Sequence, residues 1–398
     1  MRSNNAGKAF LEFLTGFGCV ALVAGSLVGA AIAVWWTLAP VQLPAEAEAA
    51  QAAIPAIPTD APPSDTPTFT PTSQATPPAA TPTITPPAVT PLPPGLFLAP
   101  MSHEYQKLNN CGPASLSAAV SYLGVNITQF DAADVVKGGP GDKNVSPDEM
   151  VAYLNSLGLG AVYRVNGNQA TLQRLAANSI PVIVAQWLSR PGDGVLVGHY
   201  RVVRGYDLER GIFIVNDPYT GPEFSISFEQ FEEWWRPFNR GYIPVYHPEQ
   251  AGLAANILGE DWSAEANHQR ALAQAQLEAE SIADGYAFFN LGDEYLALGK
   301  PEAAVTAYNN AFTFEFPEHF LWYQFGPLDA YNQAGEYQRV LNMTAALIAE
   351  AGEVEEARLE RGIAYLGLDN PAAARVEIEK ALAANPRYAR AQRMANSE

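Results

Sequence analysis

The chain has two cysteines in 398 residues. That excludes a disulfide scaffold and any zinc site built on several thiolates. Lys and Arg are also scarce, 23 against 42 Asp and Glu, giving a formal net charge of −19. Neutralising phosphates needs clustered cations, so nucleic-acid binding is excluded as a function class. Charged residues make up only 16% of the chain, whereas 48% is hydrophobic and 11% aromatic, which leaves ample material for a core. Residues 249–398 hold 23 of the acidic residues against 10 basic ones, so the acidity belongs mainly to the C-terminal third. It reads as a solvated helical surface.

Proline is in excess, 32 residues, and it is unevenly spread. Residues 55–94 contain fourteen Pro and ten Thr, with Phe69 as the one aromatic. Such a stretch buries no core and lacks an amide donor at every Pro. It reads as an extended spacer on the order of 120 Å long. Before it, Phe13 to Leu38 carry no charge. Twenty-six residues exceed the ~20 that span a bilayer as helix. Arg2 and Lys8 precede this segment, and no Lys or Arg follows until Lys107. The charge asymmetry predicts a cytoplasmic N-terminus and an exported remainder. Trp35 and Trp36 fall at the expected interface. The competing reading is a signal peptide cleaved at Ala45-Glu46-Ala47. These patterns predict five segments: a cytoplasmic start (1–12), a transmembrane anchor (13–38), a Pro/Thr linker (39–97), a middle domain (98–248) and a helical C-terminal domain (249–398).

In the middle domain, Cys111 to Gly124 reads as a helix capped by Asn109 or Asn110, with Pro113 in its first turn. Ser146-Pro-Asp-Glu149 is a capping box that opens a second helix. A third is predicted over 168–178. Strand-like runs follow at 181–187, 199–206 and 211–215, the last two joined by a turn at 207–210. A helix over 228–235 and a strand over 242–246 close the domain. Helices first and antiparallel strands later make an α+β order.

Cys111 is the one cysteine of the exported part, and it starts a helix, where the dipole favours a thiolate. A thiolate nucleophile needs a base, and the base needs an orienting group. His199 opens one strand of the predicted hairpin, and Asp217 follows the other in Asn216-Asp217-Pro218. The hairpin brings them to the same open end. Gln106, five residues before Cys111, is suited to donate an amide hydrogen to a developing oxyanion beside the Cys111 N–H. His103 and His247 read as surface residues. Trp187, Trp234 and Trp235 read as core, with the walls of a cleft as their alternative.

The set Gln106-x4-Cys111-Gly-Pro-Ala-Ser, Gly198-His199-Tyr-x-Val-Val-x-Gly-Tyr-Asp207 and Asn216-Asp217-Pro218-Tyr219 resembles the double-glycine leader (bacteriocin-processing) cysteine peptidases of the papain-like superfamily, in a stand-alone form. The resemblance covers about 98–248. It implies Cys111 as nucleophile, His199 as base, Asp217 as its orienter and Gln106 in the oxyanion hole, with no cofactor and no metal. Three features depart from the family: Asn110 stands where an Asp is usual, Gln106 lies about one residue closer to the cysteine, and the chain has no Gly-x4-Gly-Lys-Ser/Thr phosphate loop. The expected reaction is acyl transfer from a peptide or protein substrate. The alternatives are a non-catalytic peptide-binding protein on the same fold and a transpeptidase.

The last third has a repeat. Tyr295, Tyr331 and Tyr365 stand 36 and 34 residues apart. Leu291-Gly292, Tyr295, Ala304, Tyr308, Ala311 and Pro317 resemble the tetratricopeptide repeat, as do Gly362, Tyr365, Ala374, Ile378, Ala381 and Pro386. Val340 and Thr344 fill the small and aromatic positions of a degenerate middle copy. The resemblance covers about 281–393, with a further helix near 262–280. It implies an all-α solenoid whose concave surface suits a protein or peptide partner, the alternative being a purely structural helical appendage. The period also predicts that this module separates from the rest near residue 250.

Overall fold

The computed structural model describes residues 92–396 apart from 140, 191 and 193. The anticipated transmembrane anchor and most of the linker lie outside the described residues. Among the described residues, no helix is long and apolar enough to cross a membrane.

The α+β order holds. Helices α1 (Cys111–Tyr122), α2 (Gln129–Val136), α3 (Pro147–Ser156) and α4 (Gln169–Ala177) precede most of the sheet, and α5 (Phe228–Trp235) interrupts it. The strands are β1 (Gly95–Phe97), β2 (Gly160–Ala161), β3 (Val182–Ser189), β4 (Leu196–Asp207), β5 (Ile212–Asp217), β6 (Gly221–Ser227) and β7 (Tyr242–Tyr246). Every pairing is antiparallel, in the order β2-β7-β3-β4-β5-β6, with β1 also on β4. Residues 95–97, read from sequence as the end of the linker, are therefore part of the sheet.

Period-two alternation divides the core. Val202, Ile183, Ile243 and Val245 pack with α1, α2 and α3. Val203, Val182, Val184 and Val215 pack on the opposite face with α4, α5 and the following helix α6 (Ala251–Leu258). Helix α1 is buried from Gly112 to Val120, so apolar or small residues occupy every side of it. Gly124, at φ +78°, lets the chain leave it. The capping boxes of α2 (Thr128, Asp131) and α3 (Ser146, Glu149) fix their starts.

The C-terminal part is all-helical. After α7 (Ala264–Ser281) come three helix pairs: α8 (Gly285–Ala297) with α9 (Pro301–Ala311), α10 (Gly326–Gln333) with α11 (Tyr337–Ala351), and α12 (Glu355–Gly367) with α13 (Pro371–Ala384); α14 (Ala389–Ala395) ends the described chain. Gly292 lies so close to Tyr308 that a Cβ there would stand 2.6 Å from the ring. Gly362 approaches Ile378 in the same way, at 2.9 Å. Val340 and Thr344, in the degenerate middle copy, are fully buried.

The expected separation near residue 250 is not what the packing gives. Trp187 and Phe238 of the α+β part share one apolar cluster with Phe289, Tyr308, Phe320 and Leu328 of the helical part. Ion pairs and hydrogen bonds reinforce the junction, including Arg236 to Asp284 and Asn144 Nδ2 to Glu356 Oε1 at 2.8 Å. Aromatic residues that look like ordinary core in either part alone are used to join the two.

Candidate active site

Asn110 is the residue before α1, but its side chain does not cap the helix. Its Oδ1 instead accepts from Lys137 Nζ at 3.0 Å, and its Nδ2 donates to Gln129 Oε1 at 3.3 Å. The first amides of α1 are thus left without a side-chain cap, at the positive end of the helix dipole. Cys111 sits there, half-buried and with no disulfide.

The register of β4 and β5 pairs Val202 with Asn216 and Val203 with Val215. Asp217, next along β5, therefore reaches the neighbourhood of Arg201 and His199 on β4. His199 Nε2 lies 3.0 Å from Asp217 Oδ1. Cys111 stands near enough to His199 for the imidazole to favour its thiolate. Asp217 Oδ1 also accepts from the backbone N–H groups of Tyr219 (2.7 Å) and Thr220 (3.0 Å). His199 and Asp217 are almost wholly inaccessible. The structure thus brings His199 and Asp217 together beside Cys111.

The protonation states follow from the surroundings. Burial pushes the Cys111 thiol up, but the His199 hydrogen bond and charge, with the Tyr200 and Gly112 amides, outweigh it and leave the pKa lowered. Burial alone lowers the pKa of His199. Hydrogen bonds to Asp217 and Cys111 more than reverse this, so it is raised. Burial likewise raises that of Asp217, yet the His199 hydrogen bond and the His199 and Arg201 charges hold it well below the usual carboxylate range. All three shifts run toward the charged forms: thiolate, imidazolium and carboxylate. Buried Lys137, beneath the helix start, adds a positive charge that the Cys111 thiolate feels.

Gln106 comes to the same end of the sheet. Its backbone N–H donates to Pro218 O at 2.8 Å, beside Asp217. Its side-chain Oε1 is buried without a partner among the described residues.

Sequence reasoning passed over Arg201. It is fully buried, donates from Nε to Asp217 Oδ2 at 2.7 Å, and reaches Gln186 Oε1 (3.1 Å) and Trp187 O (3.0 Å) through Nη1. A signal was present: a charged residue inside an apolar central strand, two positions from His199 and hence on its face. His103 corrects the surface reading. It is half-buried, its Nδ1 bonded to Asn216 Oδ1 at 2.7 Å. His247 is half-buried at the end of β7. Trp187 and Trp235 are core, while half-buried Trp234 stacks over the Arg201 guanidinium, 5.1 Å from its ring centroid. Away from this site, Glu318, His319 and Glu350 each bring one potential ligand atom within 4.8 Å of the others, two of them as exposed carboxylates.

Residues 98–243 match the model of the Peptidase_C39 like family. The chain carries a peptidase C39-like domain. Residues 286–315 match the tetratricopeptide repeat. Among solved structures, the C39-like part is similar to the peptidase domain of Streptococcus ComA, a bifunctional ABC transporter involved in quorum sensing: 19% identity, 37% of this chain and 98% of that one, TM-score 0.30. A double-glycine-motif protease from an AMS/PCAT transporter, solved with its leader peptide, is 16% identical over 38% of this chain and 94% of its own, TM-score 0.28. Xylellain, a cysteine protease from Xylella fastidiosa, is 13% identical over 39% and 87%, TM-score 0.27. No curated protein matches the chain.

Proposed function

We propose that this chain is a cysteine peptidase acting through Cys111, His199, Asp217 and Gln106. One observation carries the reading: a half-buried cysteine at an uncapped helix start, close to a histidine whose Nε2 is held by a buried carboxylate. A purely structural cysteine needs none of this.

The Cys111 thiolate attacks the carbonyl carbon of a peptide bond. The Cys111 N–H and the Gln106 amide stabilise the oxyanion. His199, as imidazolium, gives its proton to the leaving amine as the C–N bond breaks. A water molecule, deprotonated by His199, then attacks the thioester and releases the acid and the free thiol. Asp217 keeps the imidazole in its working orientation throughout.

The apolar run 13–38 and the Pro/Thr segment 39–97 support a single-pass anchor and a spacer, with 98–248 and 249–398 held outside the cytoplasm. The helical part supports docking of a protein or peptide partner. The test is hydrolysis of a mixed peptide library by the full chain, with new termini mapped by mass spectrometry. Cleavage that disappears in Cys111→Ala supports the proposal; cleavage that persists in that variant refutes it.

A further inference from the structure

Among the described residues, strand β4 has one edge that no strand covers. On one side, β3 pairs with it from Leu196 to Val203. On the other, β5 pairs from Val202 onward, which leaves 196–200 open. Tyr200 turns its backbone to that open edge. Its carbonyl accepts from Ser115 Oγ at 3.1 Å, and its N–H points to the Cys111 sulfur. Cys111 and Ser115 are one helical turn apart, so α1 lies across the edge. Backbone direction repeats every second residue, so the next amide facing the same way is that of Gly198.

Gly198 is already covered, and by a residue of the helical part, Tyr323. The Tyr323 ring lies flat enough on Gly198 that a Cβ there would stand 2.7 Å from it. Tyr323 belongs to the connection between α9 and α10, which is anchored by Phe320 in the shared aromatic cluster. Trp322 beside it carries Lys143 over its ring at 5.9 Å. Tyr323 also lies close enough to Cys111 to feel its charge.

We infer that the 318–325 segment forms one wall of the Cys111 cleft and that Tyr323 is a specificity-determining residue of the peptidase. This rests on the peptidase reading and deepens it. An extended substrate could add to a free strand edge through main-chain hydrogen bonds. The Tyr323 ring covers β4 at Gly198, about two residues' rise from Tyr200, some 7 Å away. Substrates are therefore limited to chains that turn away from β4 at that point. The repeat region acts on selectivity from within the site, not only as a remote docking surface.

The experiment measures alkylation of Cys111 in the full chain by iodoacetamide and by an iodoacetylated Ala-Ala-Ala amide. Tyr323→Ala should raise the rate ratio of the long reagent to the short one by about tenfold or more, the scale of one lost steric contact in a specificity pocket. Tyr323→Phe, which keeps the ring and removes only the hydroxyl, should raise it less. An unchanged ratio in Tyr323→Ala overturns the inference. So does a collapse of the iodoacetamide rate in that variant, because Tyr323 would then be holding the dyad together. If wild-type Cys111 reacts no faster than free cysteine and His199→Ala changes nothing, the peptidase reading fails. The ratio still reports the wall.

Discussion

Arg201 and Asp217 form a buried ion pair, Nε to Oδ2 at 2.7 Å, that leaves the carboxylate's other oxygen to His199. One carboxylate thus serves two cations in a region closed to water. Breaking a buried pair strands a charge, which typically costs about 3–5 kcal/mol. Arg201→Met should therefore destabilise the fold by that order in denaturant unfolding. A loss below about 1 kcal/mol would mean that Asp217 finds compensation elsewhere.

Asp217→Asn keeps the shape of the side chain and removes its charge. The imidazolium loses its main support, so kcat should fall about 10²–10⁴-fold with KM much less changed. The His199 pKa should fall as well, and NMR titration of its ring protons would detect this. An unchanged His199 titration would contradict the relay.

Gln106→Ala tests the oxyanion assignment. Removing one donor of this kind costs about 10²-fold or more in kcat. The Cys111 alkylation rate should stay as it was, because Gln106 acts only when the oxyanion forms. Equal loss in both measurements would point to a structural role beside Pro218.

The junction between the two parts should respond to pH. Burial, and then the charge of Asp142, push Glu355 up to about 7. Asp142 is itself raised by burial. Below the unfolded carboxylate range, near 4.3, Glu355 is protonated in both states and has no effect. As pH rises toward 7 the unfolded chain loses the proton and the folded one keeps it, so stability falls. Glu355→Gln should therefore gain in Tm over wild type as pH goes from about 5 to 8. A constant difference across that range would contradict the assignment.

Much of the site was legible because its parts obey local rules. Pro113 and Gly124 bracket α1, and a tight turn between two apolar runs gave the hairpin that aligns His199 with Asp217. Arg201 was open to the same reasoning, since period two puts it on the face of His199. The missed helix α2 has a capping box at Thr128 and Asp131, but only eight residues to show a period. Strand β6 carries Pro222 and Glu223, which weaken its strand pattern. Tyr323 could not be found from sequence at all. Its partner Gly198 lies more than a hundred residues away, and only the shared packing of Trp187 and Phe320, ring centroids 5.8 Å apart, brings them together.

The most direct test is the pH dependence of Cys111 alkylation by iodoacetamide. The imidazolium–thiolate pair should give rapid reaction at pH 6, with the thiol titrating below the ~8.5 of free cysteine. As pH rises through the elevated pKa of His199, the imidazolium is lost and with it the support for the thiolate. His199→Ala should move the Cys111 titration upward and slow the reaction at pH 6. A Cys111 that titrates near 8.5 in both the wild type and His199→Ala would mean that the pair does not exist in solution, and the assignment as a cysteine peptidase would be wrong.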